Sequence, residues 1–145
     1  MKSFTIEEPL IKDFMQHLFN YDTFIDFEVR GVLVRSFTTF EISGQKDGGY
    51  CTWDELRSYV RHIIGNTKPR AMKIVFARDN PEALHPNAAA LFLNISYDND
   101  ITDKPDRIGK ITCTTASSQK NFELNKSVDD IWDEWVTEFL PLKQR

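Results

Sequence analysis

Long apolar runs are missing from this 145-residue sequence. A bilayer-spanning helix needs about 20 consecutive, mostly apolar residues, so no membrane-spanning helix is expected. Positive charge is also short: 18 Lys and Arg stand against 22 Asp and Glu, giving a net charge of −4 at pH 7. With a pI near 5.4, the overall basic footprint of a nucleic-acid-binding protein is absent. Cysteine is scarce. Cys51 and Cys113 are the two, which excludes a disulfide framework and reads as two free thiols in a reducing compartment. No H-x-x-x-H or C-x-x-C spacing occurs, so no structural zinc site is expected. The loop Ser43-Gly44-Gln45-Lys46-Asp47-Gly48-Gly49 has neither Walker nor G-x-G-x-x-G spacing, which removes the usual phosphate cradles. The opening MKSFTIEEPL lacks an apolar signal-peptide core and turns acidic early. The location expected is therefore cytoplasmic, and the sequons at Asn94 and Asn125 are read as chance matches.

Core-forming material is plentiful. Hydrophobic residues make up 41% of the chain, and eleven Phe, four Tyr and three Trp are available to fill a core. Length and composition suit one globular domain over 1–145. Leu10, Ile11, Phe14, Met15 and Leu18 stand at helical spacing after Thr5-x-x-Glu8 and Pro9, which predicts a capped helix over about 8–19. Residues 24–43 are β-formers whose alternation changes register at Gly31, where a bulge or bend is expected. Thr52-Trp53-Asp54-Glu55 is a second capping pattern. The apolar stripe Trp53, Leu56, Val60, Ile63 and Ile64 follows it, and Gly65 stands at the C-terminal cap position.

Further strands are predicted at 72–77, 91–97, 108–116 and 121–124, with 117–120 as a hairpin turn. A final helix over 127–140 carries Val128, Ile131, Trp132, Trp135 and Phe139 on one face. Asp129, Asp130, Asp133, Glu134 and Glu138 lie on the other, read as solvated. Short connections imply antiparallel pairing. The expected class is α+β: a mostly antiparallel sheet of about five to six strands covered by two or three helices, including a Trp-rich amphipathic C-terminal helix.

The candidate chemistry is thin. Asp98-Asn99-Asp100, Asp103 and Asp106 imitate a calcium loop, but Asp103 and Gly109 stand where such a loop needs glycine and glutamate. Cys51 precedes a helix and is the best nucleophile, if folding brings His62 or His85 to it. His17 falls on a polar helix face. Arg57, Arg61, Lys68, Arg70 and Lys73 form a modest basic cluster able to hold an anion or a nucleic-acid backbone. No catalytic residue, metal or cofactor is assigned.

Several runs resemble one family. They are Thr38-Thr39-Phe40-Glu41-Ile42-Ser43-Gly44, Met72-Lys73-Ile74-Val75-Phe76, Leu91-Phe92-Leu93-Asn94-Ile95-Ser96-Tyr97, residues 111–115, and the ending 126–135, above all its Trp132-Asp133-Glu134-Trp135. The family consists of small uncharacterised bacterial proteins, mostly from Firmicutes, catalogued only as a domain of unknown function. The resemblance implies a stand-alone domain and transfers no activity. The function expected is a non-enzymatic cytoplasmic binding or interaction module, with a protein or a second copy of the chain as partner. A small enzyme or ligand-binding protein with a pocket between sheet and helices remains an alternative, as does weak nucleic-acid association through the basic cluster.

Overall fold

Alternating apolar and polar residues resolve into one antiparallel sheet backed by three amphipathic helices. The computed structural model describes residues 1–65, 69–99 and 109–142. In chain order the elements are β1 (Ser3–Ile6), α1 (Leu10–Phe19), β2 (Glu28–Arg35), β3 (Thr39–Ser43), a small hairpin of β4 (Gln45–Lys46) and β5 (Gly49–Tyr50), α2 (Trp53–Ile64), β6 (Ala71–Ala77), β7 (Ala88–Asp98), β8 (Lys110–Gln119) and α3 (Ser127–Phe139). The six-stranded sheet has the order β1-β8-β7-β6-β2-β3, and every pairing is antiparallel. The class is α+β.

Two faces follow from the two-residue period of a strand. Met72, Ile74 and Phe76 on β6 point inward with Leu93, Ile95 and Tyr97 on β7 and with Ile111 and Cys113 on β8. All three helices cover that face. Trp53 and Val60 of α2, Phe14 and Leu18 of α1, and Val128, Trp132 and Val136 of α3 are buried against it. The opposite face keeps Lys73, Ser96 and Thr112 partly in solvent. Among the described residues, no helix is long and apolar enough to cross a membrane.

The register shift expected near Gly31 is present, since Arg30 is the extra residue between Val29 and Gly31 in the β2–β6 ladder. Its guanidinium lies 3.8 Å from the Tyr50 ring centroid. The Thr52–Glu55 capping box forms, and Gly65 closes α2 at a φ of +64° that glycine adopts without strain.

Three expectations change. Thr5 caps nothing, because it is paired with Thr112 inside β1; α1 starts at Leu10 without a side-chain cap. No strand forms at 121–124, and the predicted turn residues Ser117, Ser118 and Gln119 extend β8 instead, through pairs with Leu91, Ala90 and Ala88. The acidic face of α3 is only partly solvated. Asp129 accepts a hydrogen bond from Ser117 and Asp133 one from Thr115, tying the helix to β8. The calcium-like residues Asp100, Asp103 and Asp106 lie outside the described residues.

Candidate functional site

Three residues of α2, spaced four apart, face the carbonyl end of α1. Trp53 Nε1 donates to the Leu18 carbonyl at 2.5 Å. Arg57 donates to the Tyr21 carbonyl at 2.8 Å and approaches Asp22 and Asp54 at 3.4 Å each. Arg61 donates to the Phe19 carbonyl. The last carbonyls of a helix lack intrahelical donors and carry the negative end of its dipole. Two arginines and an indole N–H therefore satisfy acceptors that would otherwise need water.

The clamp joins α1 to α2 at one end and leaves a groove beside it. Ile11, Met15 and Phe19 of α1 form one wall. Arg61, Ile64 and Gly65 form the other, with Pro69 at its end, while Met72 of β6 and Tyr97 of β7 make the floor. The volume is about 670 Å³, within the range of small-ligand clefts. Glu8, Lys12, Gln16 and Asn20 complete the rim. Two of the chain's three methionines line this groove, and thioether side chains reshape readily around varied apolar ligands. Burial first, then the Glu8 and Asp98 carboxylates, push the Tyr97 phenol above its usual pKa and keep it neutral.

The basic residues singled out from the sequence do not converge. Arg57 and Arg61 serve the end of α1. Arg70 begins the approach to β6, where its backbone N–H donates to the Arg35 carbonyl at 2.8 Å. Lys73 projects from the helix-free face, in a shallow depression with Arg30, Leu33 and Glu41. The sheet separates it from the arginines of α2. Lys68 lies outside the described residues.

Nucleophile and base are equally dispersed. Cys51 is half-buried and sits in a backbone ladder, donating its N–H to the Gly44 carbonyl at 2.7 Å and accepting from Val29 N–H at 2.8 Å. His17 bonds Thr23 at 2.6 Å. His85 accepts the Asn87 N–H on Nδ1 at 3.0 Å and meets the Ser127 hydroxyl through Nε2 at 3.2 Å. A neutral ring that accepts on Nδ1 carries its proton on Nε2. His85 therefore donates to Ser127 and is in the wrong tautomer to take its proton. Burial pushes the Cys113 thiol up to about 12, far from thiolate chemistry at neutral pH. Among the described residues, no group of three or more His, Cys, Asp or Glu side chains is placed to hold a metal ion.

Sequence reasoning allowed for a pocket between sheet and helices but did not locate it at α1 and α2. Ile11, Phe14, Met15, Leu18 and Phe19 stand at i, i+3, i+4, i+7 and i+8, the ordinary stripe of a core-covering helix, so their spacing carried no separate signal of a groove.

Residues 8–144 match a family described as a family of unknown function, DUF5721. The chain belongs to this family. No curated protein and no solved structure matches it. For this DUF5721 member, the groove and its rim are thus the features on which a functional reading rests.

Proposed function

We propose that this DUF5721 protein is a non-enzymatic binding module that takes an apolar or amphipathic segment in the groove between α1, α2 and the sheet. The groove itself carries the reading: about 670 Å³ of open space with an apolar floor and a polar rim. The dispersal of Cys51, His17 and His85 supports binding over catalysis, because nucleophile and base must lie within hydrogen-bond reach. Two free thiols, Cys51 and Cys113, suit a reducing compartment. We place the module in the bacterial cytoplasm on that ground and on its resemblance to small bacterial proteins.

The test is a titration with the environment-sensitive apolar dye 8-anilinonaphthalene-1-sulfonate. Saturable enhancement of emission is expected with the native protein, and Met15→Glu should abolish it without loss of helical circular dichroism. Emission no greater than that of free dye, or enhancement unaffected by Met15→Glu, overturns the reading.

A further inference from the structure

The segment between β8 and α3 presents two large apolar side chains to water. Phe122 is 83% and Leu124 90% exposed. Such exposure usually accompanies a mobile loop, but this one is braced. The Asn87 side chain donates to the Asn121 carbonyl and accepts from Asn121 N–H, both at 2.9 Å. Lys120 N–H donates to the Asn87 carbonyl at 2.9 Å, and Glu123 N–H donates to the Gln119 side chain at 2.9 Å. Lys120 is also ion-paired with Glu82. A segment ordered in advance loses less entropy on binding, and exposed apolar pairs on rigid backbone mark interaction sites.

Between the two apolar side chains stands Glu123, whose carboxylate has no ion pair among the described residues. The groove described above offers the complement. Its floor is apolar, and its rim carries Arg61 and Lys12, the latter also without an ion pair among the described residues. Among the described residues that line the groove, Glu8 is the one carboxylate, a turn before Lys12, so these three charges sum to a positive value.

The segment cannot reach its own groove. It is held at Asn87, just before β7 begins, whereas Tyr97 stands at the far end of that strand. At about 3.3 Å per residue, on the order of 30 Å separates them.

We propose that Phe122-Glu123-Leu124 of one copy docks in the α1–α2 groove of a second copy, the apolar side chains on Met15, Phe19 and Met72 and the carboxylate on Lys12 and Arg61. The inference rests on the groove reading and names its occupant. The contact is heterologous, since a segment meets a groove rather than itself. An anionic lipid surface is the poorer partner for this segment: the chain carries a net charge of −4, and Lys120 is already paired with Glu82.

Complementation tests it. A segment variant, Phe122→Ser with Leu124→Ser, keeps the groove; a groove variant, Met15→Glu, keeps the segment. Lys12→Glu, at an exposed position, repeats the groove test without touching the core. Sedimentation should show the native protein associating with rising concentration. The segment variant alone should associate at least about 100-fold more weakly, the loss expected for two buried apolar side chains, and each groove variant alone should also associate measurably more weakly. The two variants mixed should associate again, because one intact segment then meets one intact groove. A native protein monomeric at every concentration, association indifferent to these substitutions, or a mixture no tighter than its components each overturns the proposal. Vesicle binding that depends on Phe122 and Leu124, without self-association, overturns it too. Dye binding by the segment variant keeps the failures apart: a native protein that does not self-associate while the segment variant still binds dye sinks only the docking, whereas loss of dye binding sinks the groove reading as well.

Discussion

The Trp53 indole N–H donates to the main-chain carbonyl of Leu18 across 35 positions, in a fully buried site at 2.5 Å. That bond ties the N-terminus of α2 to the last turn of α1, beside which the groove lies. Trp53→Phe keeps most of the aromatic contact with Phe76 at 5.4 Å but leaves the Leu18 carbonyl without its donor. An unsatisfied buried acceptor costs about 1–3 kcal/mol. Urea unfolding should show a loss of at least that size, since the smaller ring also packs less well. A variant as stable as the native protein would show the bond to be dispensable.

Arg57 and Arg61 should matter to stability where Arg70 and Lys73 do not. Hydrogen bonds from charged groups contribute about 1.5–3 kcal/mol when well formed, less where solvent reaches them. Arg61→Met should lower the thermal midpoint measurably. Arg70→Gln and Lys73→Gln, at exposed positions, should shift stability by no more than about 0.5 kcal/mol. Equal losses at all three sites would mean that the clamp is not what Arg61 supplies.

The N-terminus of α2 should lose support in acid. Glu55 accepts from Thr52 N–H at 3.1 Å and meets Lys46 at 3.0 Å. The Thr52 bond first, then Lys46, hold its carboxyl below the ordinary 4.5. A lowered folded-state pKa contributes stability above the unfolded value and loses it as pH falls through the folded one. Thermal melts of native protein and Glu55→Gln should differ at neutral pH and converge in acid, once pH has fallen through the folded-state value. A gap of the same size at both pH values would assign the effect to shape rather than charge.

The thiols should separate cleanly. Cys51 is half-buried and Cys113 fully buried, with the Cys113 thiol pushed up to about 12. An aromatic disulfide reagent should modify Cys51 in the folded protein and Cys113 only on denaturation. Rapid modification of Cys113 in native buffer would contradict its place between β1, where Phe4 is its partner, and β7, where Ile95 is.

Acid–hydroxyl pairs dock α3 on the sheet. Thr115→Val removes both the donor to Asp133 and the acceptor of the Lys2 N–H at 2.8 Å while keeping the side-chain shape, and should cost at least about 1.5–3 kcal/mol by denaturant unfolding. Retained stability in this variant would show that the Thr115 bond to Asp133 is not what docks α3.

Much of this architecture was legible along the chain, for local reasons. Thr52 and Glu55 cap α2 because their reciprocal bonds close within four residues, and Gly65 ends it because its φ is positive. Met72, Ile74 and Phe76 face inward because a strand alternates, and Trp132 is buried because it lies on the apolar stripe of its helix. What spacing alone could not decide was partnership. Arg57 and Arg61 read as an anion site, yet the acceptors they meet are carbonyls 36 and 42 positions away. Asp129 and Asp133 read as solvated, yet Ser117 and Thr115 reach them across the β8–α3 connection. Thr5 carried a capping pattern but pairs instead with Thr112, at the far end of the chain. Periodicity and capping act over a few residues and are written in order along the chain. Which polar group satisfies which, and where packed helices leave a groove open, depends on elements meeting in space, and only the tertiary structure decides that.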